Sequence, residues 1–545
     1  MSTVRGCETW QTVLLVALGA VLGACRGPRA PEGTPSKEAP PVRETPVVAS
    51  PQPRELRLAY HEPKTLDWTA GADVETVVLA RNLYEGLTVL APDGKGTQPG
   101  AAEAPEISAD GRTLLFRLRD DARWSDGAPV TAADFTEAWA RCLAPGLDCG
   151  VIEPFDKLLT GPDGGFEALD ERTVRVRLAR ADAMLPFALA TTAFLPVARA
   201  VRTAHATDWV LPPHAVSNGP WRIAAYRPGV EIVLEPNRHH RGAAALKLDR
   251  VRVAFVQTQQ NADDLFRSGA VDLVFGRIPI ERIRELRAKA DPSLVVWPVA
   301  CTYYLALNTE RGVTADLAFR RALAAGIDRE KLALQVLGMG QTPATGFSPP
   351  VLWQKPPAPQ ADAGYSPTRA REVYRGSKHA TTPLEPVPYL LNEDAGNRLI
   401  AEAVQRDVRE TLGVQLDLQS LEWGVLNERL ARGDFAVARF SQCAAAPDPA
   451  ELVRQFRSTA PDNPSRYRSP AVDAALDRLA VAPTLQEREA IVTEIEGRLA
   501  ADVAGIPLYH YARALLVRPC LKGLVANAFD LQPYDRIDLS MCQGE

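Results

Sequence analysis

The sequence predicts an α/β protein built of more than one domain. Strand-patterned and helix-patterned segments alternate from Glu55 to Leu499, which argues for α/β domains. At 545 residues the chain is too long for one ordinary core, and length alone allows roughly two to four domains. No heptad run or short-period repeat occurs, which sets aside coiled coils and solenoids. The net charge of -5 offers no general attraction to phosphate backbones, so nucleic acid is not an expected partner.

The elements follow in order. Glu55 to Tyr60 alternates like a strand. Val74 to Leu87 carries Val77, Val78, Arg81 and Tyr84 at helical spacing, with Gly86 as its stop. Thr113 to Leu118 and Thr173 to Leu178 alternate again with Arg on the wet face. Between them the turn-rich run Trp124 to Val130 leads into a helix, Ala132 to Cys142, capped by Thr131. Asn218 to Trp221 is a turn before the strand Glu231 to Leu234, Ala262 to Phe266 reads as helix, and Ser268 to Asp272 leads back into sheet. Asp316 to Leu332 has the densest helical pattern, and Asn397 to Leu412 is a second amphipathic helix stopped by Gly413. The strand Val414 to Leu418 follows. Phe435, Val437 and Arg439 then alternate with Ala436 and Ala438 before the run breaks, so Phe435 to Pro449 reads as a strand ending in an irregular loop, with Cys443 at the junction. Thr484 with Glu487 makes a capping box for a helix through Ile491, Ile495 and Leu499.

The N-terminus sets the compartment. Val13 to Leu22 is an apolar run too short to span a bilayer, preceded by Arg5 and ending in Leu22-Gly23-Ala24-Cys25. This resembles the lipobox of bacterial lipoproteins, so residues 1–24 are expected to be a signal peptide and Cys25 the lipidation site. Residues 25–54 are rich in proline, lack the apolar mass to fold, and read as a tether. Cys142, Cys149, Cys301, Cys443, Cys520 and Cys542 remain, and an even remainder in an exported chain predicts disulfides. Proximity favours Cys142 with Cys149 and Cys520 with Cys542, which leaves Cys301 and Cys443 for each other.

A set of motifs runs through the chain in one order. It comprises Thr65-Leu66-Asp67, Asn82 to Leu87, Trp124 to Gly127 through Asp134-Phe135, Asn218-Gly219-Pro220, Ser268 to Asp272, Cys301-Thr302-Tyr303-Tyr304, Phe319 to Leu323 with Ile327-Asp328-Arg329, and Pro507-Leu508-Tyr509. Across residues 55–530 this order resembles the extracytoplasmic oligopeptide-binding proteins of bacterial ABC importers, within family 5 of the solute-binding proteins. The resemblance implies a two-lobed periplasmic-binding-protein-like II fold with an extra domain inserted in the first lobe. Lobe one would comprise residues 55–86, 197–300 and 512–545, the insertion 87–196, and lobe two 301–511. It implies a monomer without cofactor or metal, lipid-anchored on the periplasmic or cell-surface side of a membrane, which captures a peptide between the lobes and delivers it to ABC permease subunits. The implied ligand contacts are Trp423, Arg439, Ser441, Gln442 and Cys443, with Tyr303, Tyr304, Tyr509 and Tyr511, and a second cleft segment of Phe275, Gly276 and Arg277. It also pairs Cys301 with Cys443.

The departures bear on the ligand. Peptide binders of this branch carry an acid two positions beyond the cleft Cys, for the ligand's α-ammonium, and an aromatic just before that Cys. Here those positions are Ala445 and Gln442. A buried ammonium without a counter-charge is costly, and Asp448 reaches the site only if its loop is shifted. Arg277 either brings positive charge to the cleft or points to solvent. The fold is therefore expected to transfer more surely than the ligand. An N-blocked peptide, a peptide-like metabolite, an acidic ligand, or a non-transport sensing or chaperone role stand beside the peptide reading. No P-loop, dinucleotide loop, GxSxG or HExxH motif points to an enzyme. His239-His240 reads as a solvated loop pair, and His61, His205, His214, His379 and His510 form no ligand spacing.

Overall fold

A computed structural model of the chain describes residues 53–70, 73–144, 149, 159–161, 163–276, 278–358, 364–461, 463–482 and 484–542. The expected leader, Cys25, the tether up to residue 52 and Arg277 lie outside the described residues.

In chain order, β1 (Glu55–Tyr60) belongs to the main sheet, and β2 (Thr88–Leu90) and β3 (Thr97–Pro99) form an antiparallel pair. Next come β4 (Glu106–Ile107), β5 (Thr113–Arg117), β6 (Gly165–Ala168) and β7 (Thr173–Arg177), a separate sheet in the order β4-β5-β7-β6. The main sheet resumes with β8 (Trp221–Arg227), β9 (Glu231–Pro236), β10 (Arg250–Phe255), β11 (Leu273–Phe275) and the long β12 (Leu294–Leu307). It is completed by β13 (Thr342–Pro343), β14 (Val387–Asn392), β15 (Leu416–Leu421), β16 (Val437–Cys443) and the long β17 (Gly505–Val517). Its order is β15-β14-β16-β12-β17-β11-β1-β10-β9-β8, with β13 on β17.

The two long strands divide this sheet into lobes. β12 and β17 pair antiparallel, and their register shifts between Pro298 and Thr302. Before the shift Leu294 to Pro298 face Leu516 to Ala512, and β17 continues to β11 and β1. After it Thr302 to Ala306 face His510 to Gly505, and β12 continues to β16 and β14. A proline has no N–H to give a ladder, which suits Pro298 at the break. The chain thus crosses between lobes twice, along one two-stranded ribbon.

Alternation along the strands gives each lobe a core on both sheet faces. In the second lobe Tyr303 and Leu305 pack with Phe319, Val408 and Leu508, while Tyr304 and Ala306 pack with Phe347, Phe456 and Leu499. In the first lobe Leu56 and Val251 share a core with Phe116, Phe135, Trp139 and Val176, so the four-stranded sheet is packed onto this lobe. Ala59, Val274 and Leu516 pack on the other face against Leu286. Disulfides join Cys142 to Cys149, Cys301 to Cys443 and Cys520 to Cys542.

Three elements end differently from the sequence pattern. The first helix is Val74–Leu83, because Tyr84 turns extended and donates its N–H to the Ala80 carbonyl. Gly86 lies beyond it, where a Cβ would come within 2.8 Å of the Thr88 carbonyl oxygen, so close packing of backbone explains this glycine. The pattern from Asp316 is two helices: Leu317–Gly326, capped by Asp316, and a π-helical turn Lys331–Leu337 ended by Gly338 in the left-handed region. β15 starts at Leu416, since Gly413 caps helix Ala395–Leu412 at φ 69° and the chain needs room to turn.

Candidate functional site

The site is built on the end of β16. Ala444 donates its N–H to the Ala300 carbonyl at 2.8 Å and Asn308 to the Ala436 carbonyl at 3.0 Å, which frames the β12–β16 ladder. Cys301 therefore faces Cys443, Tyr303 faces Ser441 and Leu305 faces Arg439 at non-hydrogen-bonded positions. The N–H and C=O of Arg439, Ser441 and Cys443 consequently point away from β12. β14 covers that outer edge only at Val437 and Ala438, and among the described residues no strand pairs with it farther on. The burial follows: Val437 and Ala438 are buried, Arg439 to Gln442 are partly exposed, and Cys443 is exposed.

Trp423 and Arg439 come together beside this edge. Helix Trp423–Arg432 is capped by Glu422, whose carboxylate accepts from the N–H of Gly424 and Val425, and Trp423 at its start is 55% exposed. The Arg439 guanidinium carbon lies 5.9 Å from the Trp423 ring centroid and 5.3 Å from that of Tyr303, the geometry of a cation–π sandwich. Tyr303 is buried and stacks on buried Tyr509 at 5.1 Å, and the partly exposed Tyr511 lies edge-on to Tyr509 at 5.1 Å. Tyr304 points to the opposite face, where its hydroxyl donates to Gln455 Oε1 at 2.8 Å. Phe275 and Gly276 sit elsewhere, at the end of β11, with the Arg513 guanidinium 5.2 Å over the Phe275 ring and paired to Asp530.

A cavity of about 650 Å³ opens at the Cys443 end of β16. Gln442, Cys443, Ala445 and Glu451 line one wall, and Arg180 and Asp182 lie on another. Arg180 Nε donates to the Ala480 carbonyl at 3.0 Å, which ties the 88–194 region to the second lobe. Asp448 does not reach this space. It is buried, its Oδ1 caps the turn Pro449–Leu452 through the Ala450 N–H, and its Oδ2 pairs with Arg488 and Arg454. The acid of this loop that does line the cavity, together with Asp182 and Asp477 from other elements, is Glu451, whose Oε2 accepts from the Ala445 N–H at 2.6 Å and the Ala446 N–H at 3.3 Å. Burial pushes its carboxyl up to about 7, opposed by Arg454 and reinforced by Asp448. Sequence reasoning passed over Glu451. The signal present was an acid in the first turn after an Asp-Pro cap, which marks a helix start and not a pocket.

The histidines also differ from their sequence reading. His239 is exposed, but His240 turns inward, its Nε2 3.7 Å from a Glu85 oxygen. His205 and His214 are brought together, their rings stacked at 3.5 Å, and Asp208 Oδ2 lies 3.6 Å from His214 Nε2. Spacing could not show this because the intervening loop folds back on itself.

The chain matches the family described as "Bacterial extracellular solute-binding proteins, family 5 Middle" over residues 96–464. It is 29% identical over 462 residues to the periplasmic oligopeptide-binding protein OppA of Escherichia coli (strain K12), covering 82% of this chain and 84% of that protein. It is likewise 29% identical over 504 residues to the periplasmic murein peptide-binding protein MppA of Escherichia coli (strain K12), covering 88% of this chain and 92% of that protein. The structure of the Escherichia coli murein tripeptide binding protein MppA aligns with a TM-score of 0.75 at 27% identity, over 89% of this chain and 98% of that one. Among the described residues no helix is long and apolar enough to cross a membrane.

Proposed function

The chain belongs to family 5 of the bacterial extracellular solute-binding proteins, and on that premise we propose that it captures peptides between its lobes and delivers them to an ABC permease. The observation that carries the reading is the uncovered edge of β16 at Arg439, Ser441 and Cys443 beside a cavity of about 650 Å³. An extended peptide adds to such an edge through main-chain hydrogen bonds that are the same for every side chain, so affinity does not demand a particular sequence. Trp423 and Arg439 supply a flat, partly exposed surface next to the bound backbone, and Tyr511 borders it. Tyr303, Tyr304 and Tyr509 act as the packed floor and scaffold in the conformation described. The second segment, with Phe275 and Gly276 at the end of β11, is assigned to the first lobe's side of the cleft, away from β16 in the conformation described.

The same reading assigns residues 55–86, 197–300 and 512–545 to the first lobe, 87–196 to the insertion and 301–511 to the second lobe. It takes the protein as a monomer, without enzymatic activity, held to the membrane by lipid on Cys25. Relatives that bind oligopeptides and murein peptide support the peptide ligand. The test is native mass spectrometry of the chain from residue 26 onward, purified without refolding. A ladder of short-peptide masses is expected. A bare protein that also gains no thermal stability from a saturating peptide pool, where specific binding adds about 3 kcal/mol, overturns the peptide reading.

A further inference from the structure

Two imidazoles and a carboxylate converge on the surface of the first lobe, away from the cavity beside β16. Three successive turns bring them together. The Asp208 N–H donates to the His205 carbonyl at 3.3 Å, the Leu211 N–H to the Asp208 carbonyl at 2.9 Å, and the His214 N–H to the Leu211 carbonyl at 2.9 Å. Each turn advances three residues, so His205, Asp208 and His214 return to one side of the loop. Its start is held by helix Arg199–Ala204, where the Val201 carbonyl accepts the His205 N–H at 2.8 Å. Its middle is pinned by Trp209 and Val210, which are buried in the core that holds Phe135 and Trp139. Pro212 and Pro213 restrict the backbone just before His214.

The donor atoms of the three side chains all lie within 4.8 Å of one another. The two rings stack at 3.5 Å with an interplanar angle of 17°, and Asp208 Oδ2 lies 3.6 Å from His214 Nε2. That separation is longer than a hydrogen bond, and all three residues are partly exposed. Two protonated rings stacked so closely repel each other. A single cation shared between neutral rings removes that conflict, and the Asp208 charge attracts it.

We propose that His205, Asp208 and His214 form a surface site for one divalent transition-metal ion of the Zn²⁺ class. Imidazole nitrogen suits Zn²⁺, Ni²⁺ and Cu²⁺, and the carboxylate completes a three-ligand set that leaves a coordination position open to water. Ca²⁺ and Mg²⁺ take oxygen donors, of which this cluster supplies one carboxylate. A tetrahedral ion spaces its ligands about 3.4 Å apart, so capture draws the donors together. It also tilts one ring out of the stack, because lone pairs lie in the ring planes and parallel rings do not converge on one ion. Partial exposure leaves the rings room to turn. Cys142, Cys149, Cys301, Cys443, Cys520 and Cys542 are held in disulfides and do not compete for the ion. Among the described residues no other three His, Cys, Asp or Glu side chains are so grouped, which sets the stoichiometry at one ion per chain. None of the three residues lines the cavity beside β16, so the site does not rest on the peptide reading.

The experiment is calorimetric titration of the mature chain, purified without a histidine tag and stripped of metal, with ZnCl₂ and separately with CaCl₂, beside His205→Ala and His214→Ala. The unaltered protein is expected to bind one Zn²⁺ per chain in preference to Ca²⁺. Each variant is expected to bind Zn²⁺ on the order of a hundredfold more weakly, since even the outer partners of metal ligands cost up to that much. Absence of Zn²⁺ binding by the unaltered protein, undiminished binding by either variant, or a preference for Ca²⁺ overturns the assignment. Should the variants fail to fold, electron paramagnetic resonance of the unaltered protein with one equivalent of Cu²⁺ decides the matter. Splitting from two imidazole nitrogens is expected, and any other nitrogen count overturns the site.

Discussion

Asp448 and Arg488 form an ion pair in which each side chain is 2% exposed. The pair anchors the loop that carries Glu451, since the same carboxylate caps the following turn and accepts from Arg454. Removing one partner leaves a buried charge without compensation. Asp448→Ala is expected to destabilise the protein by about 3–5 kcal/mol, against less for a conservative Asp448→Asn, in urea unfolding.

The Cys301–Cys443 disulfide fixes the cleft end of β16 across 142 residues of sequence. A bridge closing so long a loop is worth about 5 kcal/mol in the chain-entropy model, and measured values run at about 2–4. The double variant Cys301→Ser, Cys443→Ser should lose stability in that range. Hydrogen exchange should rise first at the N–H groups of Gln442 and Ala444, whose ladder bonds to β12 flank the bridge.

Trp423 is the exposed aromatic of the site, and its ring contributes to no core cluster. Trp423→Ala should therefore leave unfolding free energy within about 0.5 kcal/mol of the unaltered value. On the proposed function it lowers peptide affinity on the order of tenfold, as removal of an interfacial aromatic anchor does. Calorimetric titration and thermal melts of the same sample check both halves.

His510 on β17 is buried opposite Thr302, with its Nδ1 2.8 Å from the Thr302 hydroxyl. Burial depresses its pKa from 6.5 to about 4, so the folded protein binds the proton less readily than the unfolded chain. Its contribution is fully present above about pH 6.5 and is lost as the pH falls towards 4. At about 1.4 kcal/mol per pH unit, this loss reaches roughly 3 kcal/mol. His510→Gln should flatten that part of the urea-unfolding profile between pH 7 and 4. Glu451 acts in the opposite sense, because its raised pKa favours the folded state below about 4.5 and this preference is lost as pH rises through about 7. It is common to both proteins and cancels in the comparison.

Individual elements were legible in the sequence because strand and helix patterns are local, and β1 and the helix Ala132–Cys142 occupy the residues their periodicity marks, whereas the two lobes were implied only by the resemblance in motif order. The layer to which each tyrosine turns is set by register against distant strands. Tyr303 and Tyr304 are adjacent yet lie in different cores for that reason. Asp448 looked like a reserve acid for the cleft, but a buried arginine encoded forty residues later claims it. Glu451 was invisible because only the turn through Pro447 and Pro449 returns it to the amide of Ala445. Gly86 illustrates the reverse case, a glycine whose purpose is a neighbour and not the end of its own helix.

The position of β11 has a consequence for assembly. Its three residues lie between β1, made early, and β17, made late. Tyr60 and Asn82 likewise find partners in Tyr534 and Gln532. A chain emerging from its N-terminus therefore starts the first lobe long before it can finish it. Until β17 arrives, β11 presents an unpaired strand edge of the kind that recruits other chains. The lobe synthesised first is the lobe completed last, and until its final strand arrives the growing chain carries that edge open.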